Sequence, residues 1–408
     1  MDNYLIPVIP FHKEIVERGE GSYVYDTDGN KLLDVNSGQF CTVLGHSNPE
    51  LALCIKKITE NIAHTNTSML SSEVLKAAEN LNRISGDMNA FSILLSTGSE
   101  AVEFCIRYAK HIKKKNGILC FEKGYHGLTL GSQSVTFSGK YALPAVSDIY
   151  SVPVPDTFAT QEELTGDIEK LEGILKQSGS DIAAVLMEPI VSVGGMIFPD
   201  KYYFEEVRRL CTEYDVLLIF DESQTGYGRT GEWFAYRQMG IVPDMVACAK
   251  GIGLGYPVAA ALFADYLIPK DGFAMSHYSS HQNDAFSAAI INFGIDYIER
   301  NNILNEVKEK GKYFLDKLMK ISESNSVISR PRGRGLMIGF ELKIEGVENY
   351  RTVYPKLCDM AAKEGLIIQA TNGGQTIRFL PSYTISYQEI DFCIDVIDKI
   401  TKKILSVK

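Results

Sequence analysis

The sequence of 408 residues lacks the marks of several large protein classes. It has one tryptophan, no C-x-x-C pair among its eight cysteines, and no uninterrupted apolar stretch long enough to cross a membrane. Lys and Arg number 41 against 51 Asp and Glu, a formal net charge of -10. A nucleic-acid surface needs clustered Lys and Arg, and the short run at residues 113–115 is the one dense basic patch. We therefore expect neither nucleic acid nor a membrane as a partner.

The N-terminus also lacks the basic start and apolar core of a signal peptide. The cysteines lie scattered, mostly among apolar neighbours, which favours reduced, buried thiols and a cytoplasmic protein. Hydrophobic residues make up 45% of the chain, so a large core can form. The length exceeds what one core usually fills, and we expect two domains.

Short apolar runs alternate with helical periodicity between about residues 70 and 265. This alternation predicts an α/β fold with a mixed, mostly parallel sheet between crossover helices. The predicted strands, which are apolar throughout as in a sheet covered on both faces, are Phe91–Leu95, Gly117–Phe121, Ile182–Met187, Val216–Phe220, Met245–Ala249 and Val258–Phe263. Helices are predicted from Ser99 and after Asp200, because acidic and capping residues suit a first helical turn.

The pattern changes near residue 285, where a long helix precedes a strand-like run at Gly333–Leu342 and further α and β pieces. Tyr23–Tyr25 and Lys31–Asp34 read as a hairpin around Asp28 and Gly29. We expect residues 46–290 to form a large domain, and residues 1–45 and 291–408 to form a smaller α+β domain from both termini.

Residues 216–257 carry the clearest chemistry. Asp221 directly follows one predicted strand and Lys250 directly follows a later one, and ligands of open α/β sheets gather at such strand ends. A buried carboxylate needs a cationic partner, and a protonated pyridine nitrogen is one. An amine that forms an imine must lose its proton, and the apolar residues before Lys250 and the glycines after it offer a desolvated site.

Each of these two residues also has an ordinary interpretation. An Asp at a strand end is often a helix cap, and a Lys before glycines often lies in a surface loop. A dinucleotide loop is excluded, because Tyr256 stands where G-x-G-x-x-G requires glycine. No G-K-[ST] sequence for a nucleoside triphosphate is present.

The motifs together resemble the class III pyridoxal-phosphate-dependent aminotransferases. Two family segments are matched by DESQTGYGRTG and AKGIGLG. The similarity extends over nearly the whole chain, through DGNKLLD, LMEPIVSVGG and GRGLMIGFEL. The resemblance implies a fold-type I enzyme with pyridoxal 5'-phosphate as its cofactor. It also implies ping-pong transfer of an amino group from an α-amino acid to a 2-oxo acid.

The resemblance implies roles for the residues that match its motifs. Lys250 would hold the cofactor as a Schiff base, Asp221 would pair with the pyridinium nitrogen, and Gln224 would donate a hydrogen bond to the ring hydroxyl. Gly98 and Ser99 would hold the phosphate at a helix N-terminus, where free N–H groups favour an anion. An ordinary N-cap has the same geometry without a ligand.

Further cofactor contacts follow from KGYHGLT and the EP pair. Tyr125 would stack on the cofactor ring with His126 beside it, although a loop tyrosine is often merely packed. Glu188 would be a hydrogen-bonding residue behind the cofactor and not the catalytic base. Ser280 corresponds to the hydroxyl that a neighbouring subunit gives to the phosphate, which implies a homodimer with shared active sites, open to further pairing into a tetramer.

The substrate side is similar to 2,2-dialkylglycine decarboxylase, a member of this family that couples decarboxylation to transamination. Gln39 matches the glutamine that contacts the departing carboxylate there, but it also fits a helix cap or a loop contact. Tyr125 and Val193 depart from that enzyme's tryptophan and serine. We therefore predict transamination, with decarboxylation-coupled transamination, racemisation or epimerisation, and a catalytically idle binding module as alternatives.

Arg378 matches the family arginine that binds a substrate carboxylate at two points. Many ω-amino-acid aminotransferases have a glutamate, which moves this arginine aside, where Val193 stands here. A valine does not neutralise Arg378, so we expect a preference for substrates with an α-carboxylate.

The decarboxylase likeness also implies an alkali-metal site for K⁺ or Na⁺. Asp284 would supply the charged oxygen, Thr67 its hydroxyl, and Thr65, Ser280 and Gln282 their carbonyls, in an oxygen-rich shell. The alternative is that Asp284 caps the helix that begins near Ala285.

Overall fold

The computed structural model describes residues 5–6, 8–9, 15–137, 148–271 and 275–404. The strands of these ranges are β1 (Val16–Glu20), β2 (Tyr23–Asp26), β3 (Lys31–Asp34), β4 (Phe91–Leu95), β5 (Gly117–Phe121), β6 (Ile149–Val152), β7 (Ile182–Met187), β8 (Leu217–Asp221), β9 (Met245–Cys248), β10 (Ala259–Phe263), β11 (Ile328–Arg334), β12 (Met337–Leu342), β13 (Leu366–Ile367), β14 (Gln369–Thr371) and β15 (Thr376–Phe379).

The helices are α1 (Ser37–Phe40, with irregular backbone angles), α2 (Pro49–Asn61), α3 (Ser72–Ser85), α4 (Gly98–Lys113), α5 (Leu130–Ser134), α6 (Gln161–Ser178), α7 (Lys201–Glu213), α8 (Tyr236–Met239), α9 (Ala285–Arg300), α10 (Ile303–Ser322), α11 (Tyr354–Lys363) and α12 (Tyr387–Ile404). Short 3₁₀ turns occupy Gly86–Met88, Lys250–Gly253, Asp265–Leu267, Tyr350–Thr352 and Asn372–Gly374.

A seven-stranded sheet in the order β4-β10-β9-β8-β7-β5-β6 forms the centre of the molecule. The strands from β6 to β9 run parallel, and β10 is antiparallel to both of its neighbours. Successive residues of β8 point to opposite faces, so Leu218 joins one hydrophobic core and Ile219 the other. Apolar side chains on both faces explain why these strands read as continuous apolar runs, and the predicted α/β class is confirmed.

The predicted boundaries hold for β4, β5 and β7. Strand β8 lies one residue later than predicted and ends on Asp221 itself, while β9 and β10 are each one residue shorter. The single run predicted at Gly333–Leu342 is wrong, because the chain reverses between β11 and β12. Gly335 has a φ of 55° there, and a Cβ on it would lie 2.7 Å from the carbonyl oxygen of Arg229.

Two smaller sheets flank the central one. The first, in the order β1-β2-β3-β13, contains the predicted N-terminal hairpin and pairs β3 in parallel with β13 from the C-terminal part of the chain. The second has the order β11-β12-β15-β14. The division at residues 45 and 290 stays a prediction.

All eight cysteines are free, five of them buried. Among the described residues, no helix combines the length and the apolar character that a membrane crossing requires.

Candidate active site

Two adjoining clefts open at the carboxyl ends of β8 and β9. The first, of about 300 Å³, is lined by Gly98, Ser99, His126, Asp221 and Lys250, among others. The second, of about 760 Å³, shares Tyr125 and Lys250 with the first and adds Gln39, Val193, Gln224 and Arg378. Nearly all the predicted cofactor and substrate residues therefore face one continuous space, because parallel strands deliver their last residues to the same edge of the sheet.

Asp221 is held from two sides at the end of β8. Its Oδ2 lies 2.9 Å from Nδ1 of His126, and its Oδ1 accepts a hydrogen bond from the backbone N–H of Ser223 at 3.0 Å. Burial acts to raise the pKa of Asp221, but the bonds from His126 and Ser223 and the charge of Lys250 bring that pKa below its ordinary value. The buried carboxylate is thus kept in its charged form.

Lys250 begins a 3₁₀ turn two residues after β9 and has a φ of 51°, in the left-handed region that costs a non-glycine residue about 1 kcal/mol or more. Its amine lies at the bottom of the clefts, where burial lowers its pKa despite the charge of Asp221. A lowered pKa increases the fraction of neutral amine, which is the nucleophilic form.

The first turn of α4 forms one end of the smaller cleft. Thr97 is the N-cap and its hydroxyl accepts from the N–H of Glu100, so the helix starts at Gly98, one residue before the predicted start. Thr97 caps this helix in the ordinary way, and phosphate binding by Gly98 and Ser99 stays a prediction. A Cβ on Gly98 would lie 3.0 Å from Cβ of Ala249 and 3.2 Å from Oγ of Ser223, so the helix end approaches the cleft floor closely.

The remaining polar atoms suit a pyridine ring with a phosphate group. Oε1 of Gln224 and Nε2 of His126 are buried and have no hydrogen-bond partner among the described residues. The charged carboxylate of Asp221 lies at one side of the space, and the N-terminus of the 16-residue helix α4 lies at another. Together, these polar and charged groups fit pyridoxal phosphate.

Glu188 lies behind the larger cleft, directly after β7. Its Oε1 accepts from the backbone N–H of Tyr125 at 2.9 Å, and its Oε2 accepts from the N–H of Ser192 at 3.3 Å. Burial raises the pKa of Glu188 to about 7. These contacts fix the loop that carries Tyr125.

Arg378 on β15 is buried and faces the larger cleft. Its Nη1 donates to Oγ of Ser192 at 3.0 Å, its Nη2 donates to Oε1 of Gln369 at 3.4 Å, and its guanidinium carbon lies 4.4 Å from the ring centroid of Phe40. Its Nε has no partner, and no carboxylate forms an ion pair with it in the described part of the chain. Burial lowers the pKa of Arg378 to about 10, so it stays charged near neutral pH.

Gln39 joins the same hydrogen-bonded chain. Its Oε1 accepts from Nε2 of Gln369 at 3.2 Å, and Gln369 in turn accepts from Arg378. The N-cap position of α1 is Asn36, so Gln39 is not a helix cap. Neither Ser192 nor Gln369 was predicted. Ser192 lies inside the matched LMEPIVSVGG segment beside Val193, whereas Gln369 lies outside every matched motif.

Two buried charges close to the clefts were also missed. Glu222 accepts from the N–H groups of Ala235 and Tyr236 at 3.0 and 2.9 Å and so closes the loop that follows β8. Arg229 donates to the carbonyls of Leu336 and Pro381. The only available signal was a charge inside the matched DESQTGYGRTG segment.

Ser280 is exposed and lines neither cleft. Asp284 occupies the N-cap position of α9, as the helix-cap interpretation expected, but its side chain bonds no helix N–H. Its carboxylate contacts His64 and His281 instead. Imidazole nitrogens therefore stand beside Asp284, whereas K⁺ and Na⁺ take oxygen ligands. The alkali-metal site stays a prediction.

Comparison with known proteins identifies the family. Residues 9–401 match the family model of class-III aminotransferases. The chain is a class III aminotransferase. It is accordingly a pyridoxal-phosphate-dependent transferase, as the motifs implied.

Its relatives include named transaminases of similar length. The succinylornithine transaminase of Photorhabdus laumondii is 32% identical over 398 residues, with 96% of this chain and 94% of the relative covered. The acetylornithine aminotransferase of Methanosarcina mazei is 31% identical, with 94% and 91% covered. Neither is named as a decarboxylase, so the expected likeness to 2,2-dialkylglycine decarboxylase is not supported.

The fold matches solved transaminase structures. A transaminase from the marine bacterium Virgibacillus superposes with a TM-score of 0.93, covering 99% of this chain and 97% of that chain at 23% identity. This likeness shows the fold of the enzyme and leaves its substrate open.

Proposed function

We propose that the enzyme transfers the amino group of an α-amino acid to a 2-oxo acid in a ping-pong reaction. The observation that carries this proposal is Arg378, a buried, charged guanidinium that faces the cleft with no carboxylate partner among the residues the structure describes. A buried cation of this kind is costly unless an anion meets it. The α-carboxylate of an amino acid is such an anion, and a guanidinium binds it at two points.

The cofactor would be held by residues from four elements. Asp221, oriented by His126, would pair with the ring nitrogen, Gln224 would meet the ring hydroxyl, and the first turn of α4 would bind the phosphate. Tyr125 would cover one face of the ring. When bound, pyridoxal phosphate acts as the electron sink that stabilises a carbanion at the substrate Cα.

Lys250 would move the proton. Its amine stands at the junction of the two clefts and its pKa is lowered, so the neutral amine would accept the proton from the substrate Cα and deliver it to the cofactor carbon that takes up the amino group. The Arg378–Gln369–Gln39 chain would fix the carboxylate end of the substrate. That orientation decides which bond at Cα lies ready to break.

A second candidate donor is the terminal amine of an N-acylated ornithine, the compound class for which the two relatives are named. The larger cleft favours this candidate, because its lining includes a second cation, the exposed Arg351, in addition to Arg378. An acylornithine also has a carboxylate for an arginine to bind. Both donors keep the reaction a transamination.

A substitution at Val193 separates the α-carboxylate proposal from its alternatives. In Val193→Glu the new carboxylate would lie in the cleft beside Arg378 and neutralise it, so kcat/KM for α-amino acids should fall by about 10- to 100-fold, as for loss of one charged contact. Val193→Gln is the matched control, since it has the same size without the charge. Equal losses in both variants would contradict the proposed role of Arg378.

The assay should follow products as well as rate. Alanine, glutamate, acetylornithine and 4-aminobutyrate serve as donors, with CO₂ release and optical rotation recorded beside keto-acid formation. Faster turnover of 4-aminobutyrate than of every donor with an α-carboxylate would overturn the proposal. Stoichiometric CO₂, or loss of rotation without a keto acid, would replace transamination by decarboxylation-coupled transfer or by racemisation.

The proposal extends to a cytoplasmic homodimer that shares its active sites. Three large apolar side chains are exposed: Tyr256, which lines the smaller cleft, by 41%, Leu130 at the start of α5 by 71%, and Tyr278 by 77%. Such a group of apolar residues is typical of a protein contact. Ser280, two residues from Tyr278, would then reach the phosphate of the partner's cofactor.

A further inference from the structure

Three ligating side chains converge at the start of α9, outside both clefts. His64 follows α2, whereas His281 and Asp284 immediately precede α9. Nδ1 of His64 lies 3.2 Å from Oδ1 of Asp284, and Nδ1 of His281 lies 3.2 Å from Oδ2 of the same carboxylate. All three ligating atoms lie within 4.8 Å of one another.

The backbone fixes the segments that carry these side chains. The N–H of Phe286 donates to the carbonyl of Ala63 at 3.0 Å, which ties α9 to the residue before His64. Asn283 bonds Leu94 of β4 twice, through its N–H and through its side-chain oxygen, both at 3.0 Å. These hydrogen bonds hold together two segments that lie 220 residues apart in the sequence. None of them uses a ligating atom of the cluster.

Asp284 is oriented in an unusual way for its position. It stands at the N-cap of a 16-residue helix, where a carboxylate normally accepts from helix N–H groups, yet it bonds none of them. Both of its oxygens point at imidazoles instead. The Asp284 side chain is 8% exposed, whereas those of His64 and His281 are 49% and 62% exposed, so the open side of the cluster faces solvent.

We propose that His64, His281 and Asp284 bind a divalent transition-metal ion of the Zn²⁺ type, with water as the fourth ligand. Metal–nitrogen and metal–oxygen bonds of about 2.0–2.2 Å place neighbouring ligands of a tetrahedral ion about 3.3 Å apart. Each imidazole–carboxylate separation of 3.2 Å is close to that spacing, and the two end on different oxygens of Asp284. The ion would take one of these oxygens, and the exposed imidazole that lies on the other oxygen would turn toward it.

The donor types decide the class of ion. Imidazole nitrogen suits Zn²⁺, Ni²⁺ and Cu²⁺, whereas alkali ions take oxygen ligands. The imidazoles at Asp284 therefore favour a transition metal over K⁺ or Na⁺. An ion at this position would join the end of α2 to the start of α9.

Calorimetric titration of the metal-stripped, cofactor-loaded enzyme with ZnCl₂ tests the proposal. We expect one Zn²⁺ per chain and a rise in Tm on binding. His64→Gln and His281→Gln should each weaken binding at least about 10-fold, because each removes one of three protein ligands. His111→Gln, which changes an exposed histidine outside the cluster, is the matched control.

Two results would overturn the assignment. One is an unchanged Zn²⁺ affinity in both cluster variants. The other is a loss of Zn²⁺ affinity in His111→Gln that equals the loss in the cluster variants. A rise in Tm with K⁺ that is lost in Asp284→Asn but kept in His64→Gln would assign the position to an alkali ion instead. The activity of the enzyme enters none of these readouts, so they stand apart from the proposed substrate.

Discussion

At the scale of single residues, the active site combines backbone strain with burial at Lys250. The left-handed φ places this side chain at the junction of the two clefts, and burial lowers the pKa of its amine. Strain of about 1–3 kcal/mol persists only where the surrounding structure holds it, here between the buried residues Ala249 and Gly251. The same residue thus gains both its position and its reactivity from the packing around the end of β9.

Removal of the Lys250 amine should abolish covalent attachment of the cofactor and leave the fold intact. In Lys250→Ala we expect turnover to fall by about 10²- to 10⁴-fold, since the proton-transfer group is lost. Borohydride treatment should fix the cofactor covalently to the wild-type chain and not to the variant. Lys270→Ala, at an exposed lysine, should behave as wild type. Covalent fixation in Lys250→Ala would assign the attachment to another lysine.

Glu188 should make stability depend on pH. Its pKa is about 7 in the folded protein against an ordinary 4.5, so between these values the folded chain keeps a proton that the unfolded chain has lost. The free energy of unfolding must therefore fall as pH rises from 4.5 to 7, by about 3 kcal/mol from this group.

Urea unfolding of the cofactor-free enzyme at about pH 5 and about pH 8 measures this fall. In Glu188→Gln the fall should be smaller, because the amide does not titrate. Gln also leaves the N–H of Tyr125 or Ser192 without an acceptor, which costs about 1–3 kcal/mol at every pH. The readout is therefore the change in the free energy of unfolding between the two pH values. An equal change in the wild type and in Glu188→Gln would show that Glu188 titrates normally.

At the scale of elements, burial decides how well sequence predicts structure here. The strands β5 and β7 were predictable to the residue because both of their faces are buried, so each run is apolar and ends where polar residues begin. The hairpin of β11 and β12 was not, since Gly335 interrupts an alternating run and its turn depends on the neighbouring backbone of Arg229 and Thr230. A contact between segments more than 100 residues apart leaves no local signal.

The space available for a Cβ atom predicts opposite effects of alanine substitution at two helical glycines. A Cβ on Gly311 in α10 would overlap the carbonyl of Gly335 and lie 2.7 Å from its Cα, so Gly311→Ala should destabilise by about 1–3 kcal/mol. Gly173 in α6 has nothing within 4 Å, so Gly173→Ala should stabilise by about 0.5–1 kcal/mol through helix propensity. Urea midpoints of both variants check this, and stabilisation by both would mean that α10 can move away from Gly335.

At the scale of the whole molecule, the site divides into a part that motifs reveal and a part that only folding assembles. Asp221 and Lys250 follow apolar strands, and strand ends meet at one edge of a sheet, so their proximity was predictable. Gln369 lies on β14 and Ser192 lies in the loop after β7, and both side chains contact Arg378. The imidazoles of His64 and His281 were likewise invisible, because 217 residues separate them in the chain.

Shared active sites make a prediction that only an assembly of two chains can meet. In a mixed dimer of Lys250→Ala and Ser280→Ala chains, the site built on the Ser280→Ala chain has its own Lys250 and receives Ser280 from the partner, so it is complete. Random pairing makes about half of the dimers mixed, which restores about a quarter of all sites. Unfolding and refolding the two inactive variants together, followed by assay at limiting cofactor, measures the recovery. Each variant refolded alone is the control, and activity no higher than the sum of these controls would mean that every chain builds its site alone.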